Sequence, residues 1–103
     1  MSKDYCNALY DKIKTEHSKF ISDLKTKSAN DIILSAYEIV TKNDILMFCE
    51  NENPNLTDEQ FKFLLSRSAL LDEVFECWCS NGELTSYDDI IFAIKAVLGF
   101  KNE

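Results

Sequence analysis

The sequence is poor in glycine and proline, the residues that shape hairpins and tight loops. Its 103 residues include two Gly and one Pro. This scarcity disfavours a sheet built from hairpins and favours helices joined by short polar connections. The sequence also lacks an apolar run near the roughly 20 residues that a membrane-spanning helix needs, and it opens without a signal-peptide pattern. We therefore expect a cytosolic protein that does not associate with membranes.

Metal-ligand and catalytic motifs are also missing. The cysteines form no CxxC pair and one histidine, His17, accompanies them, so the spacing of a zinc site is absent. The chain has no glycine-rich phosphate loop, nucleophile elbow or HExxH sequence. We expect no catalytic residue, no metal and no cofactor, with His17 packed or partly exposed. The thiols should be reduced and packed as small hydrophobic groups: Cys6, Cys49, Cys77 and Cys79.

Basic residues are a minority among the charged ones. The chain has 11 Lys and Arg against 18 Asp and Glu, a net charge of −7. Residues 1–27 have a balance of +2 and residues 28–103 a balance of −9. So acidic a surface repels phosphate backbones, which disfavours direct binding of nucleic acid and favours a basic protein partner. The alternative is that the acids only keep a small domain soluble.

Helix-start signals, by contrast, are frequent. A Ser or Thr precedes an acid or amide by three residues, the spacing of a capping box, in four places: Ser28 to Asp31, Thr41 to Asp44, Thr57 to Gln60 and Ser86 to Asp89. Hydrophobic residues make up 46% of the chain, enough for one modest core at this length. We predict a single all-α domain over residues 1–103, with five to six helices and a long N-terminal helix packed against shorter ones.

The spacing of apolar residues places the first three helices. An amphipathic helix is predicted from about Asp4 to Lys25. The second helix should begin after Ser28, and its broad apolar face predicts a central position in the fold. That face comprises Ile32, Ile33, Ala36, Tyr37, Ile39 and Val40. A short third helix should start near Thr41 or Asn43.

A polar loop over residues 50–55 precedes the fourth helix. Leu56 and Phe61 flank the Thr57 cap at the spacing of a hydrophobic staple. Two acids occupy the first turn, where the positive end of the helix dipole favours them: Asp58 and Glu59.

The last two helices are predicted in the C-terminal third of the chain. The fifth follows Ser68 and should bury one apolar stripe: Leu71, Val74, Phe75 and Trp78. Gly82 should end this helix in a left-handed cap. The sixth should run from Ser86 to Gly99.

Two acidic clusters are the candidate partner-binding residues. In the fifth helix, three acids should form a negative ridge opposite the Trp78 stripe: Asp72, Glu73 and Glu76. A second cluster combines the polar loop with the start of the fourth helix: Glu50, Glu52, Asp58 and Glu59. We expect a protein with a basic surface to contact these carboxylates, unless they only solvate the domain.

Short motifs spread from Leu9 to Ile94 resemble those of a known family. The most distinctive are Ala36-Tyr37-Glu38 and Asp44-Ile45-Leu46. The others are Leu9-Tyr10, Phe20, Leu24, Ile32-Ile33, Leu56, Gln60, Leu64-Leu65, Leu71, Phe75 and Trp78. In these the chain resembles a family of short, acidic, uncharacterised helical proteins from clostridia and other Firmicutes, often borne on phages and mobile elements. The resemblance implies a role in disabling defences in the bacterial host cytosol, as inhibitors of CRISPR nucleases do.

Two functional hypotheses follow. In the first, the protein is an anti-defence inhibitor, similar to anti-CRISPR proteins, whose acidic surface occupies the basic nucleic-acid channel of a nuclease effector. In the second, it is a small cytosolic regulatory or scaffolding protein, or a homodimer, with no anti-defence role. Ionic strength separates the two. Charge mimicry predicts binding that weakens steeply with salt, whereas a hydrophobic dimer interface is nearly indifferent to it.

Overall fold

The computed structural model describes residues 2–52 and 54–99. Within these ranges the chain contains no strand, and it forms one 3-10 turn over Tyr87–Asp89 and six α-helices: α1 Ser2–Leu24, α2 Ala29–Leu34, α3 Ala36–Asn51, α4 Asp58–Ser66, α5 Leu70–Ser80 and α6 Ile90–Leu98. The predicted all-α class is therefore confirmed. The extension of one domain over residues 1–103 stays a prediction, because the two ends lie outside the described residues.

The long helix α1 organises the packing, as predicted. It lies against α3, α4 and α5, while α6 packs on α5 and α4. The centre of the core is formed by side chains that are almost wholly buried: Leu9, Ile13, Ile45, Phe61, Leu64, Leu70, Leu71, Val74, Ile90 and Val97. Five of the six helices supply this core, and α2 buries none of its residues.

The start of α4 follows local sequence chemistry closely. The Thr57 hydroxyl accepts a hydrogen bond from the Gln60 backbone N–H at 3.2 Å, and the Gln60 side chain accepts one from the Thr57 N–H at 2.8 Å. Leu56 and Phe61 are both buried. The predicted capping box is thus confirmed, and both residues of the predicted staple lie in the core.

Replacing Thr57 with Ala should lower the free energy of unfolding by about 1–2 kcal/mol, because the cap hydroxyl is lost. Urea unfolding of the purified variant measures this loss. Thr85→Ala is the matched control, since the backbone N–H of this exposed residue, rather than its hydroxyl, is bonded to Asp89. Equal stability of the two variants would contradict the role assigned to the Thr57 cap.

The break between the second and third helices was predicted at the wrong residue. It lies at Ser35, whose hydroxyl donates to the Asp31 carbonyl at 3.0 Å and whose N–H reaches the Asp31 and Ile32 carbonyls. Such local bonds compete with regular helix geometry. Thr41 is buried inside α3, so the predicted Thr41 to Asp44 capping box is wrong.

The helix starts predicted at Ser28 and Ser86 agree with the structure. The Ser28 hydroxyl accepts from the Asp31 N–H at 3.2 Å, and the capping box of Ser86 opens the 3-10 turn that leads into α6. The predicted left-handed cap at Gly82 is wrong. Helix α5 ends at Ser80, the Asn81 N–H bonds the Trp78 carbonyl at 3.3 Å, and no described glycine has a positive φ.

Candidate partner-binding surfaces

The predicted acidic ridge on α5 is partly neutralised from within the fold. The Asp72 carboxylate accepts a hydrogen bond from Lys42 Nζ at 2.5 Å, which joins α5 to α3. The Glu38 carboxylate lies 2.6 Å from the same ammonium group. The Asp72 side chain remains 64% exposed. Asp72 therefore lies at the surface as predicted, but its charge is balanced by a residue that the sequence analysis did not single out.

Lys42 is the least expected residue of the structure, because only 2% of its surface is exposed. Its Nζ lies 4.1 Å from the centre of the Phe20 ring and 5.6 Å from that of Phe75, distances typical of cation–π contacts. Burial alone lowers the pKa of Lys42, but the hydrogen bonds to Asp72 and Glu38, together with the negative charges of these carboxylates, outweigh burial and raise it overall. Lys42 is therefore a charged core residue that holds α1, α3 and α5 together.

Glu73, the middle member of the predicted ridge, also has an internal partner. Arg67 Nε and Nη2 donate to its two carboxylate oxygens at 3.0 and 2.5 Å. The pair is bidentate, the geometry that gives Arg–carboxylate contacts their strength. The Glu73 side chain is only 19% exposed. The expectation that Glu73 belongs to a solvated ridge is therefore wrong.

Glu76 is the ridge member that remains available to a partner. It is exposed, and it makes no hydrogen bond or ion pair with any residue that the structure describes. Burial and then the nearby charges of Glu38 and Glu76 raise the pKa of the exposed Cys79 thiol. Glu38 is itself paired with Lys42, so Glu76 is the carboxylate at this end of α5 whose charge no described residue balances.

The second predicted acidic cluster lies around the connection from α3 to α4. All four of its residues are exposed: Glu50, Glu52, Asp58 and Glu59. The acids in the first turn of α4 stabilise the helix dipole, so helix stability accounts for them. Glu50 lies in the last turn of α3 and Glu52 is its C-cap residue, where negative charges oppose the dipole. Within this cluster, Glu50 and Glu52 are therefore the residues that local helix stability does not explain.

The face predicted to be central is instead largely exposed. Ile33, Tyr37 and Val40 are 60–69% exposed, Ala36 is exposed, and only Ile32 and Ile39 are half-buried. Two residues outside the predicted face, Leu34 and Met47, are 76% and 42% exposed. We call five exposed residues the α2–α3 apolar surface: Ile33, Leu34, Tyr37, Val40 and Met47. The prediction was wrong because α3 turns its other side, with Thr41, Lys42 and Ile45, toward α1 and α5.

Trp78 connects the α2–α3 apolar surface to α5. Its Nε1–H donates to the Tyr37 hydroxyl at 2.7 Å, and the Tyr37 ring lies 6.3 Å from that of Phe75. Leu71 and Val74 of the predicted stripe are buried, whereas Phe75 and Trp78 are half-buried at its edge. The stripe is thus confirmed in its inner half, and its outer half contributes to the surface.

The cysteines differ in burial more than predicted. Cys6 and Cys49 are buried and Cys77 is half-buried, but Cys79 is exposed. Burial, reinforced by the neighbouring Cys6 thiol, raises the pKa of Cys49 to about 12. His17 is half-buried, consistent with its expected position, and burial followed by the Lys42 charge lowers its pKa. Among the described residues, no group of three or more His, Cys, Asp or Glu could hold a metal ion.

None of the helices in ranges 2–52 and 54–99 is both long and apolar enough to cross a bilayer. A family model described as "Protein of unknown function (DUF3848)" matches residues 5–96. Since this match covers most of the chain, the chain belongs to that family. Neither the curated proteins nor the solved structures contain a match to the sequence.

Proposed function

We propose that this member of the family is a non-enzymatic protein-binding module whose partner has a basic surface. The observation that carries the proposal is the α2–α3 apolar surface, which is exposed beside carboxylates on a chain of net charge −7. Exposed apolar patches rimmed by polar residues are typical of protein interaction sites. The carboxylates add attraction for Lys and Arg and steer the encounter. The module acts without a metal, a cofactor or bound nucleic acid.

The charged groups of the fold support a binding role more than a catalytic one. Lys42 is held between two carboxylates and its pKa is raised, so it stays protonated and is a poor nucleophile. Glu73 is occupied by Arg67. Burial raises the pKa of the Cys6 and Cys49 thiols, which disfavours the reactive thiolate.

Within this function, the partner class that we propose is a nuclease or another nucleic-acid-binding effector of a bacterial defence system. The net charge of −7 suits a basic channel that normally holds phosphates. The resemblance to clostridial and other Firmicute proteins of phages and mobile elements suggests the same class, with the bacterial host cytosol as the place of action. The alternative is a regulatory or scaffolding protein without an anti-defence role.

Reversal of Glu76 to Lys should reduce capture of the partner from a clostridial lysate, because Glu76 is an exposed carboxylate that forms no ion pair with any described residue. Capture by the immobilised protein is read by mass spectrometry at about 50 and about 300 mM NaCl, since exposed charges are screened at the higher concentration. Asp11→Lys is the matched control, because it makes the same charge change at an exposed position on α1, whereas Glu83 lines the same groove as Glu76. Asp72 and Glu73 are left unchanged, because each forms an ion pair within the fold and its reversal would lower stability as well as binding.

The expected result is a set of proteins with basic surfaces that wild type and Asp11→Lys retain at low salt. Glu76→Lys should lose this set, and so should wild type at high salt. The melting temperature of Glu76→Lys should stay close to that of wild type, because exposed charges contribute little to stability. Equal and salt-independent recovery by all three proteins would count against an acidic contact surface and favour the regulatory alternative.

A further inference from the structure

We propose that the α2–α3 apolar surface binds an amphipathic helix of the partner whose apolar face is flanked by Lys and Arg residues. This inference rests on the protein-binding function proposed above and specifies which element of the partner makes the contact. It starts from α2, a six-residue helix with no buried residue. So short a helix is only marginally stable by itself. Its Ile33 and Leu34 side chains are exposed, so the described part of the fold does not cover them.

The spacing of the exposed side chains fits a helical partner. Tyr37, Val40 and Met47 follow one another in α3 at steps of three and seven residues, so they lie along one side of that helix. At 1.5 Å per residue this line is about 15 Å long, close to three helical turns. Ile33 and Leu34 of α2 precede it on the other side of the break at Ser35. A helix docked on an apolar surface makes contact through residues at the same spacing.

The borders of the α2–α3 apolar surface are acidic. Asp31 lies on α2, Asp44 follows Val40 by one turn of α3, and Glu76 lies on α5, two residues before the Trp78 that bonds Tyr37. Asp31 and Glu76 are exposed and Asp44 is partly exposed, whereas the charge of Glu38 is balanced by Lys42. Carboxylates along an apolar strip attract a helix with basic flanks and repel one with acidic flanks, so charge complementarity selects the occupant.

A second copy of this chain is a poorer fit. A two-fold dimer buries the same patch of both copies, so it brings two sets of these carboxylates together on chains of net charge −7 each. The five side chains expose on the order of 500 Å² of largely apolar surface, a size seen for functional patches on monomers. A stable dimer buries about 800 Å² per partner, which would draw the acidic borders into the interface.

The test measures binding of two synthetic helical peptides by fluorescence anisotropy. Both have about 16 residues with Leu at the spacing of the exposed side chains, and they differ only in having Lys or Glu at the flanking positions. The protein is wild type, the double variant Ile33→Ser, Val40→Ser, or the control Phe92→Ser. Phe92 is also exposed, but it lies on α6, which packs on α4 and α5.

We expect wild type and Phe92→Ser to bind the Lys-flanked peptide equally, and the double variant to bind it about tenfold or more weakly. The Glu-flanked peptide should not bind. Equal binding of the Lys-flanked peptide by all three proteins, or its absence with wild type, would overturn the inference. The lysate experiment with Glu76→Lys would then still decide the proposed function. Sedimentation of wild type as a dimer that the double variant dissociates would instead assign the surface to a second copy and also overturn the inference.

Discussion

Truncation of Lys42 to Ala is expected to lower the free energy of unfolding by about 2–4 kcal/mol, although lysine is among the residues most often found at the surface. The side chain fills space between the Phe20 and Phe75 rings, and its ammonium group bonds the carboxylates of Glu38 and Asp72. Its removal leaves a cavity and two carboxylates without their shared cation. Urea unfolding followed by circular dichroism measures the loss.

Two further variants identify the cause of the stability loss in Lys42→Ala. Lys62→Ala removes an exposed lysine of α4 and should change stability by less than about 0.5 kcal/mol. Lys42→Met keeps most of the volume and the contacts with the aromatic rings but removes the charge, so the difference between Met and Ala separates packing from ion pairing. A loss below about 1 kcal/mol for Lys42→Ala would show that the ammonium group does not join α1, α3 and α5 as the structure indicates.

Stability should also fall as the pH rises from about 8 to about 11, and Cys49 should account for much of the fall. The pKa of its thiol is raised to about 12 in the fold, against an ordinary value of 9.0. Between these values the unfolded chain releases the thiol proton and the folded chain keeps it. A group with a raised folded pKa contributes stability below its unfolded pKa and loses it as the pH passes the folded pKa, by up to about 1.4 kcal/mol per pH unit.

The alkaline loss is measured by urea unfolding in reducing buffer at several pH values. Cys49→Val replaces the titrating thiol with an apolar group and should flatten the dependence. Cys79→Ser should retain most of it, because Cys79 is exposed whereas Cys49 is buried. Cys6, Cys77, Cys79, Tyr87 and Lys42 also have raised pKa values and add losses of the same sign, the lysine at higher pH. An identical slope for wild type and Cys49→Val would show that Cys49 does not drive the alkaline loss.

Local sequence patterns predicted the fold class and much of the helix layout. The Thr57 capping box, the first helix and the Ser86 start were all visible in the sequence, because capping and periodicity act over a few residues. The acidic character of the chain was equally evident from its composition. The break at Ser35 was missed because Ser35 makes no side-chain cap for α3, whereas the capping spacing in the sequence pointed to Thr41, which is buried inside a helix that packs on α1 and α5.

The candidate surfaces were less predictable than the helices. The sequence alone determined which residues are acidic and that the chain is helical. It also predicted that Glu76 is exposed. Only the tertiary structure decided that Lys42 is buried against Asp72, 30 residues away, and that Trp78 bonds Tyr37, 41 residues away. It likewise decided that the broad apolar face of α2 and α3 is exposed. The physical reason is that burial and ion pairing depend on which helices pack together, and such contacts join residues too far apart in the sequence for a local pattern to record them.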